Sequence, residues 1–283
     1  MLPYRHQIRH RAHCVEPLLE AVLDQDSPAR SRRVRLLSVV SPTLNEIDNV
    51  DPLVHRLSHA LAGLPHEILI VDDDSPDQTW RRVQELAASV RQVRLLRRFG
   101  NHGLGFAVMD GFTEACGDAV ACIDSDLQHD PAILPQMVAE LERGAALVVG
   151  SRYMPGGGTK DWTRLRRFQS QCAKRLAQVC LGIALHDPMS GYFAMWKDDF
   201  MRIRHQLNGT GFKILLEIAA CLPPAGVREV PYWFGPRQHG KSKLSSRIVL
   251  EYLMQLGRLR CSGQLAARRA EPPPHRRSST FLK

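Results

Sequence analysis

No uninterrupted apolar stretch in this chain approaches the ~18 residues that cross a bilayer, so no spanning helix is expected. The opening MLPYRHQIRHRAH has no apolar core of the kind a secretory signal needs. The seven cysteines, at 14, 116, 122, 172, 180, 221 and 261, form no C-x-x-C pair and no regular spacing. Such an odd, scattered set speaks against a disulfide framework and reads as reduced thiols, mostly small core residues, in a cytosolic protein. None of the twelve histidines belongs to a ligand-spaced set, and His129 alone falls among the motifs described below. Gly103 and Gly105 of GLGFAV lack the third glycine of a dinucleotide fingerprint and are read as allowing close packing where a helix begins. There is no internal repeat.

What is present is ordinary in amount: 283 residues, 44% hydrophobic and 24% charged, enough for one α/β domain with tails. The net charge of +9 would suggest nucleic-acid binding if it were spread over the fold. It is not. Residues 1–35 carry seven Arg against four carboxylates, 244–283 carry eight Lys or Arg against two, and 36–243 carry 23 of each sign. A neutral body with basic tails fits an acidic surface, anionic lipid or nucleic acid, better than it fits a groove built into the fold. Each tail alone also reads as a solvated, disordered end. The expected organisation is a basic tail over 1–33, a catalytic domain over 34–245, an amphipathic helix over 246–260 and a second basic tail over 261–283.

From Val34 onward, short β-branched runs alternate with amphipathic stretches, the pattern of a parallel sheet with crossover helices. The runs are 34–41, 66–73, 92–98, 118–126 and 145–152, with helices expected near 48–62, 77–90, 103–116 and 131–143. Asp77 reads as a helix N-cap and Pro131 as the first turn of a helix. Beyond a Gly-rich loop at 156–158, a flexible connector or a lid, come a basic helix over about 163–184 and an irregular DPMSGYF segment. Helices near 198–206 and 211–222 and a strand over 227–234 follow. In the last helix Arg247, Glu251, Gln255 and Arg258 form a polar stripe, with Ile248, Leu250, Leu253, Leu256 and Leu259 elsewhere on it. That helix reads either as packed on the domain or as lying in a membrane interface. Trp162, Tyr192, Trp196 and Trp233 read as packing residues.

Two acidic clusters close strands: Asp72, Asp73 and Asp74 after the second, Asp124 and Asp126 after the fourth. Carboxylates gathered at strand ends repel one another, so something positive or a hydrogen-bond donor should offset them. Asp124 and Asp126 alternate on a strand end and so face the same way. Hard oxygen donors suit Mg²⁺ or Mn²⁺, which commonly share their shell with substrate phosphates.

The series PTLNE, VDDDSPD, GLGFAVMDGF, DSDLQHDP, GSRY, GGG with Trp162 after it, DPMSGYF, GFKILLE, EVP and R-x-x-G-K-S-K occurs in this order between 42 and 243. It resembles the family 2 glycosyltransferases, and among them the polyprenyl-phosphate (dolichyl-phosphate) mannose synthases, over about 36–245. The resemblance implies a GT-A-type, Rossmann-like α/β fold, a mostly parallel sheet flanked by helices with a C-terminal amphipathic helix. It also implies an inverting transfer of a hexose from a nucleotide sugar, GDP-mannose favoured, to polyprenyl phosphate. Pro42, Leu44, Glu46, Val71 and Asp73 would cradle the nucleoside, and Asp124, Asp126 and Gln128 would hold Mg²⁺ or Mn²⁺ against the donor diphosphate with Ser125 beside them. Arg152, Arg237 and Lys243 would contact phosphates, Ser190 would help seat the acceptor phosphate, and Asp126, Arg152 and Arg237 would carry the catalysis. The sequence departs from the family pattern at Leu44, where Tyr is usual, at Asn101, where many relatives have Lys, and at His186, where some have Arg. The last two changes remove positive charge from the phosphate region, so donor or acceptor could differ.

The partners implied are a nucleotide sugar, polyprenyl phosphate and a membrane surface or membrane partner, without nucleic acid, and the expected place is the cytoplasmic face of a membrane. Alternatives are a UDP-sugar donor with the same or another acceptor, and a non-enzymatic protein whose basic tails bind membrane or nucleic acid. The latter leaves both Asp clusters without a role.

Overall fold

The computed structural model describes residues 32–160, 162–210, 213–236 and 246–261, with the backbone alone for 246–249. Five strands alternating with four helices open it: β1 (Leu37–Thr43), α1 (Ile47–Ala60), β2 (His66–Asp72), α2 (Thr79–Ser89), β3 (Val93–Arg97), α3 (Leu104–Glu114), β4 (Ala119–Cys122), α4 (Leu134–Glu142) and β5 (Leu147–Ser151). Then come β6 (Gly158–Thr159), α5 (Arg164–Leu181), β7 (Phe193–Trp196), α6 (Lys197–Ile203), α7 (Ile214–Cys221), β8 (Val227–Pro231), β9 (Trp233–Phe234) and α8 (Ser246–Cys261). The main sheet runs β3-β2-β1-β4-β7-β5-β8, parallel except for β7, which is antiparallel to both β4 and β5. Side chains alternate across the sheet. Val39, Ile68 and Ile70 join the layer built by α1, α2 and α4, while Val40, Leu69 and Val71 join the layer of α3, α5, α6, α7 and α8. This is the expected α/β architecture.

Helix starts follow local chemistry. Asp130 accepts from the Ala132 N–H ahead of Pro131, so the chain enters α4 through one 3-10 turn. Asp77 sits one residue outside the cap position of α2, yet its carboxylate takes the Thr79 N–H at 2.9 Å and, with its other oxygen, the Ile47 N–H at the start of α1. One aspartate thus serves two helix N-termini. Gly105 lets α3 approach Gly209, whose carbonyl oxygen would lie 2.5 Å from a Cβ at that position, as the close-packing reading expects.

Three local readings change. β7 was not expected: it begins at the last residue of DPMSGYF, the segment read as irregular, FAMW is four buried residues with no alternation, and the DP and SG turns before it mask its start. The expected strand over 227–234 divides at Tyr232, β8 staying in the main sheet while β9 pairs with β6. Gly158 is therefore tethered, its N–H donating to the Tyr232 carbonyl at 3.1 Å. In α8 the polar stripe is split: Gln255 is buried with Tyr252, Leu256 and Leu259, while Glu251 is half-buried, Arg258 is exposed, and Leu250, Leu253 and Met254 are exposed as well. Gln255 is turned inward because Glu217 and the Lys213 carbonyl accept from its amide, at 3.0 and 3.1 Å. No helix among the described residues is long and apolar enough to cross a membrane.

Candidate active site

The carboxyl ends of β1, β2, β4 and β5 lie along one edge of the sheet, and the segment leading into antiparallel β7 arrives at the same edge. Open α/β sheets bind ligands there. Among the described residues, PTLNE, VDDDSPD, DSDLQHDP and GSRY, at or just beyond the ends of these strands, and DPMSGYF before β7 are brought to this edge by topology.

β4 ends at Cys122, so Asp124-Ser125-Asp126 forms a turn beyond the strand and not its last alternating residues. Asp126, 8% exposed, accepts from the Gln128 N–H at 3.2 Å. Ser125 donates to the Pro42 carbonyl at 3.2 Å, tying this turn to β1. Leu127 between them is left-handed, φ 62°, a costly conformation for a bulky residue. Arg56 of α1 holds it by donating to the carbonyls of Leu127, at 2.8 Å, and His129, at 3.2 Å. The Gln128 amide nitrogen donates to the Gly235 carbonyl at 2.8 Å, which leaves Oε1 as the remaining polar atom of its side chain.

Burial pushes the Asp124 carboxyl up, but the His129 ring hydrogen-bonded to it and the charges of Lys213 and Arg152 outweigh that and hold it at about 2. Asp124 is therefore an anion at neutral pH, with its side chain 32% exposed. Among the described residues no three His, Cys, Asp or Glu side chains stand together in a metal-holding group. The donors on this turn, two carboxylates and an amide oxygen, are all hard. They fit a cation that takes the rest of its oxygen shell from phosphate and water, as Mg²⁺ and Mn²⁺ do.

Arg152 follows β5 and is 9% exposed. Asp187 accepts from its Nε at 2.7 Å, its Nη2 at 2.8 Å and its backbone N–H at 3.0 Å. Burial would raise the Asp187 carboxyl, and the Arg152 guanidinium overrides it and holds it below its ordinary value. Glu229 in turn accepts from the His186 and Asp187 N–H groups and from the His186 ring. The aromatic rings of Trp162, Phe234 and Tyr153 surround the guanidinium at 5.2 to 5.6 Å. Ser190 is buried, and its hydroxyl accepts from the Tyr192 N–H at 3.1 Å, within its own loop. Arg237 and Lys243 lie outside the described residues.

Of the residues expected to cradle the nucleoside, Pro42 and Val71 are buried, Glu46 is half-buried and accepts from Asn49 at 2.5 Å, and Leu44 is exposed. The Asp72–Asp74 cluster does find the expected offsets, hydrogen-bond donors at Asp72 and counter-charges at Asp73 and Asp74. Asp72 accepts from Thr43 and Ser75, Asp73 pairs with buried Arg98 and accepts from the Gly103 N–H at 2.8 Å, and Asp74 pairs with Arg97 at 2.7 Å. Asp73 thereby fixes the 98–103 loop, directly through the Gly103 N–H and through Arg98, which donates to the Asn101 carbonyl.

Sequence reasoning gave no role to Lys213, Asp187 or Tyr232. The Lys213 ammonium, pushed down by burial and up by the charges of Asp124 and Asp187, belongs to the same cluster. The GFKILLE motif contained it, but a lysine at a helix start carries no local sign of what it faces.

A mostly parallel sheet with acidic and basic side chains converging on its carboxyl edge is the frame of a nucleotide-sugar-dependent glycosyltransferase. Residues 38–204 match the model of the Glycosyl transferase family 2, and the chain belongs to that family. It is 40% identical over 225 residues to the dolichol-phosphate mannosyltransferase of Pyrococcus furiosus, a match covering 79% of this chain and 63% of that protein's length. The Saccharomyces cerevisiae dolichol-phosphate mannosyltransferase is 39% identical, with 78% and 86% covered. In fold the chain is similar to the crystal structure of mannosyl-3-phosphoglycerate synthase from Rubrobacter xylanophilus, with a TM-score of 0.59 and 21% identity over 82% of this chain and 75% of that one.

Proposed function

We propose that this glycosyltransferase moves mannose from GDP-mannose to a polyprenyl phosphate, inverting the anomeric carbon, with Mg²⁺ or Mn²⁺ bound at Asp124, Asp126 and Gln128. The single observation that carries this reading is the juxtaposition, at one sheet edge, of the acidic turn with the half-buried cations Arg152 and Lys213. Such a site brings two anions together. The names of the relatives above support mannose as the sugar and a polyprenyl phosphate as the acceptor.

The chemistry follows from charge. The second pKa of a phosphate monoester, about 6, leaves an ionised oxygen at neutral pH, so the nucleophile needs no side chain to deprotonate it. Arg152 is held rigid by Asp187 and Glu229 and offsets phosphate charge without having to reorganise. Arg237 and Lys243 would add to this. A bound divalent cation supplies electrostatic stabilisation to the departing nucleoside diphosphate. Asp73 serves the nucleoside by shaping the 98–103 loop, and Ser190 serves the acceptor by closing the turn that carries Asp187, its N–H donating to the Asp187 carbonyl and its hydroxyl accepting from the Tyr192 N–H.

Attachment is peripheral in this reading. Helix α5 exposes Leu165, Phe168 and Val179 among its basic residues, and α8, packed on it, exposes Leu250, Leu253 and Met254. An apolar surface with cationic neighbours suits a headgroup boundary, where a long lipid acceptor keeps its tail. The deciding experiment offers GDP-mannose and UDP-glucose, each with and without Mn²⁺, to dispersed polyprenyl phosphate and scores glycolipid. Mannolipid formed only with GDP-mannose and metal is expected. Product with UDP-glucose alone would move the assignment to that donor, and no product with either would overturn it.

A further inference from the structure

His129 is 3% exposed, and both of its ring nitrogens are used. Nε2 lies 3.1 Å from Asp124 Oδ2, and Nδ1 lies 2.8 Å from the Tyr232 hydroxyl. A carboxylate only accepts, so the proton of this contact sits on Nε2. In the neutral ring Nδ1 is then an acceptor, and the Tyr232 hydroxyl donates to it. The ring stacks on Tyr232 at 5.4 Å and meets Tyr192 and Phe234 edge-on at 5.1 and 5.2 Å, which fixes its plane as well as its tautomer. Tyr232 is itself pinned between β8 and β9, its N–H on the Ser151 carbonyl and its carbonyl on the Gly158 N–H.

From this we infer that His129 is a positioning residue: with Tyr232 behind it, it locks one oxygen of Asp124 so that the other faces the cation and donor diphosphate. The inference rests on the metal assignment above. Ligand carboxylates held by outer hydrogen bonds bind metal more tightly because their orientation is settled beforehand. The same pair joins the Asp124 turn to the β6–β9 ribbon, so the metal side of the site and the Gly156–Gly158 loop share one support.

The test is Mn²⁺ titration of the full chain by electron paramagnetic resonance with GDP present, alongside the Mn²⁺ activation curve of mannosyl transfer. His129→Phe keeps the ring but loses both contacts, and His129→Asn places an amide only near Tyr232. His129→Gln places its amide where Nε2 stood. Phe and Asn are expected to weaken Mn²⁺ binding about 10- to 100-fold, with Gln recovering most of it and the acceptor KM unmoved. Should His129→Phe fail to fold, the contrast between Asn and Gln decides. Folded Phe or Asn variants with wild-type Mn²⁺ affinity, or a Gln variant as poor as Asn, would overturn the inference. A wild-type protein that binds no Mn²⁺ with GDP or UDP would instead overturn the metal assignment, and the inference with it.

Discussion

Gly191→Ala is a small change with a calculable consequence. A Cβ there would lie 2.6 and 2.7 Å from the two carboxylate oxygens of Asp124 and 2.9 Å from its Cγ. Gly191 is not among the glycines with positive φ, so the backbone itself accepts alanine and the conflict is with Asp124. The carboxylate is the end of a short side chain and is the part that yields, giving up the His129 contact when it turns. A hydrogen bond to a charged group contributes about 1.5–3 kcal/mol, and part returns because the freed carboxylate meets water, so a stability loss of about 1–2 kcal/mol is expected. The effect on turnover should be of the same order: a misplaced cation ligand is expected to lower kcat/KM at least about tenfold, or about 1.4 kcal/mol. Denaturant unfolding and steady-state transfer measure the two, and the Asp124→Ala background shows whether they arise from one contact. If they do, adding Gly191→Ala there costs little more. Wild-type turnover in Gly191→Ala, or an equal further loss in the Asp124→Ala background, would refute the reasoning.

Asp126→Ala should lose activity by several orders of magnitude while remaining folded, which circular dichroism and a product assay will show together. Asp187→Ala leaves buried Arg152 without its bidentate partner and should cost about 3–5 kcal/mol in denaturant unfolding, the usual penalty for breaking a buried pair. The folded-state pKa of Asp187 is depressed, so its contribution is complete above the unfolded value of 3.8 and is lost as pH falls through the lower folded value. Stability should therefore fall below about pH 4, and more shallowly in Asp187→Asn, when urea midpoints are compared across pH. Co-sedimentation with anionic liposomes at low salt should be reduced by Phe168→Glu with Val179→Glu; a wild-type chain that stays in the supernatant refutes direct attachment.

How much of this was legible beforehand varies by residue. Asp124 and Asp126 could be named as candidate cation donors because their chemistry is local, two carboxylates two residues apart just beyond an apolar run, and Gln128 was added by the family resemblance. Asp73 was named for the nucleoside, and its pairing with Arg98, 25 residues on, could not be read from spacing. The polar stripe of α8 was correct in periodicity and silent about direction, since helical spacing tells which residues share a face but not what that face meets.

The sequence alone determined the alternation of strands and helices, the family and the acidic turns, because each is written in short-range patterns of apolar spacing, turn residues and paired carboxylates. Tertiary structure alone decided that β7 runs backward between β4 and β5, that Gln255 is buried against Glu217, and that Tyr232 stands behind His129 from 103 residues away. Strand order and buried polar pairing depend on free energy summed over the whole core, which no local window contains.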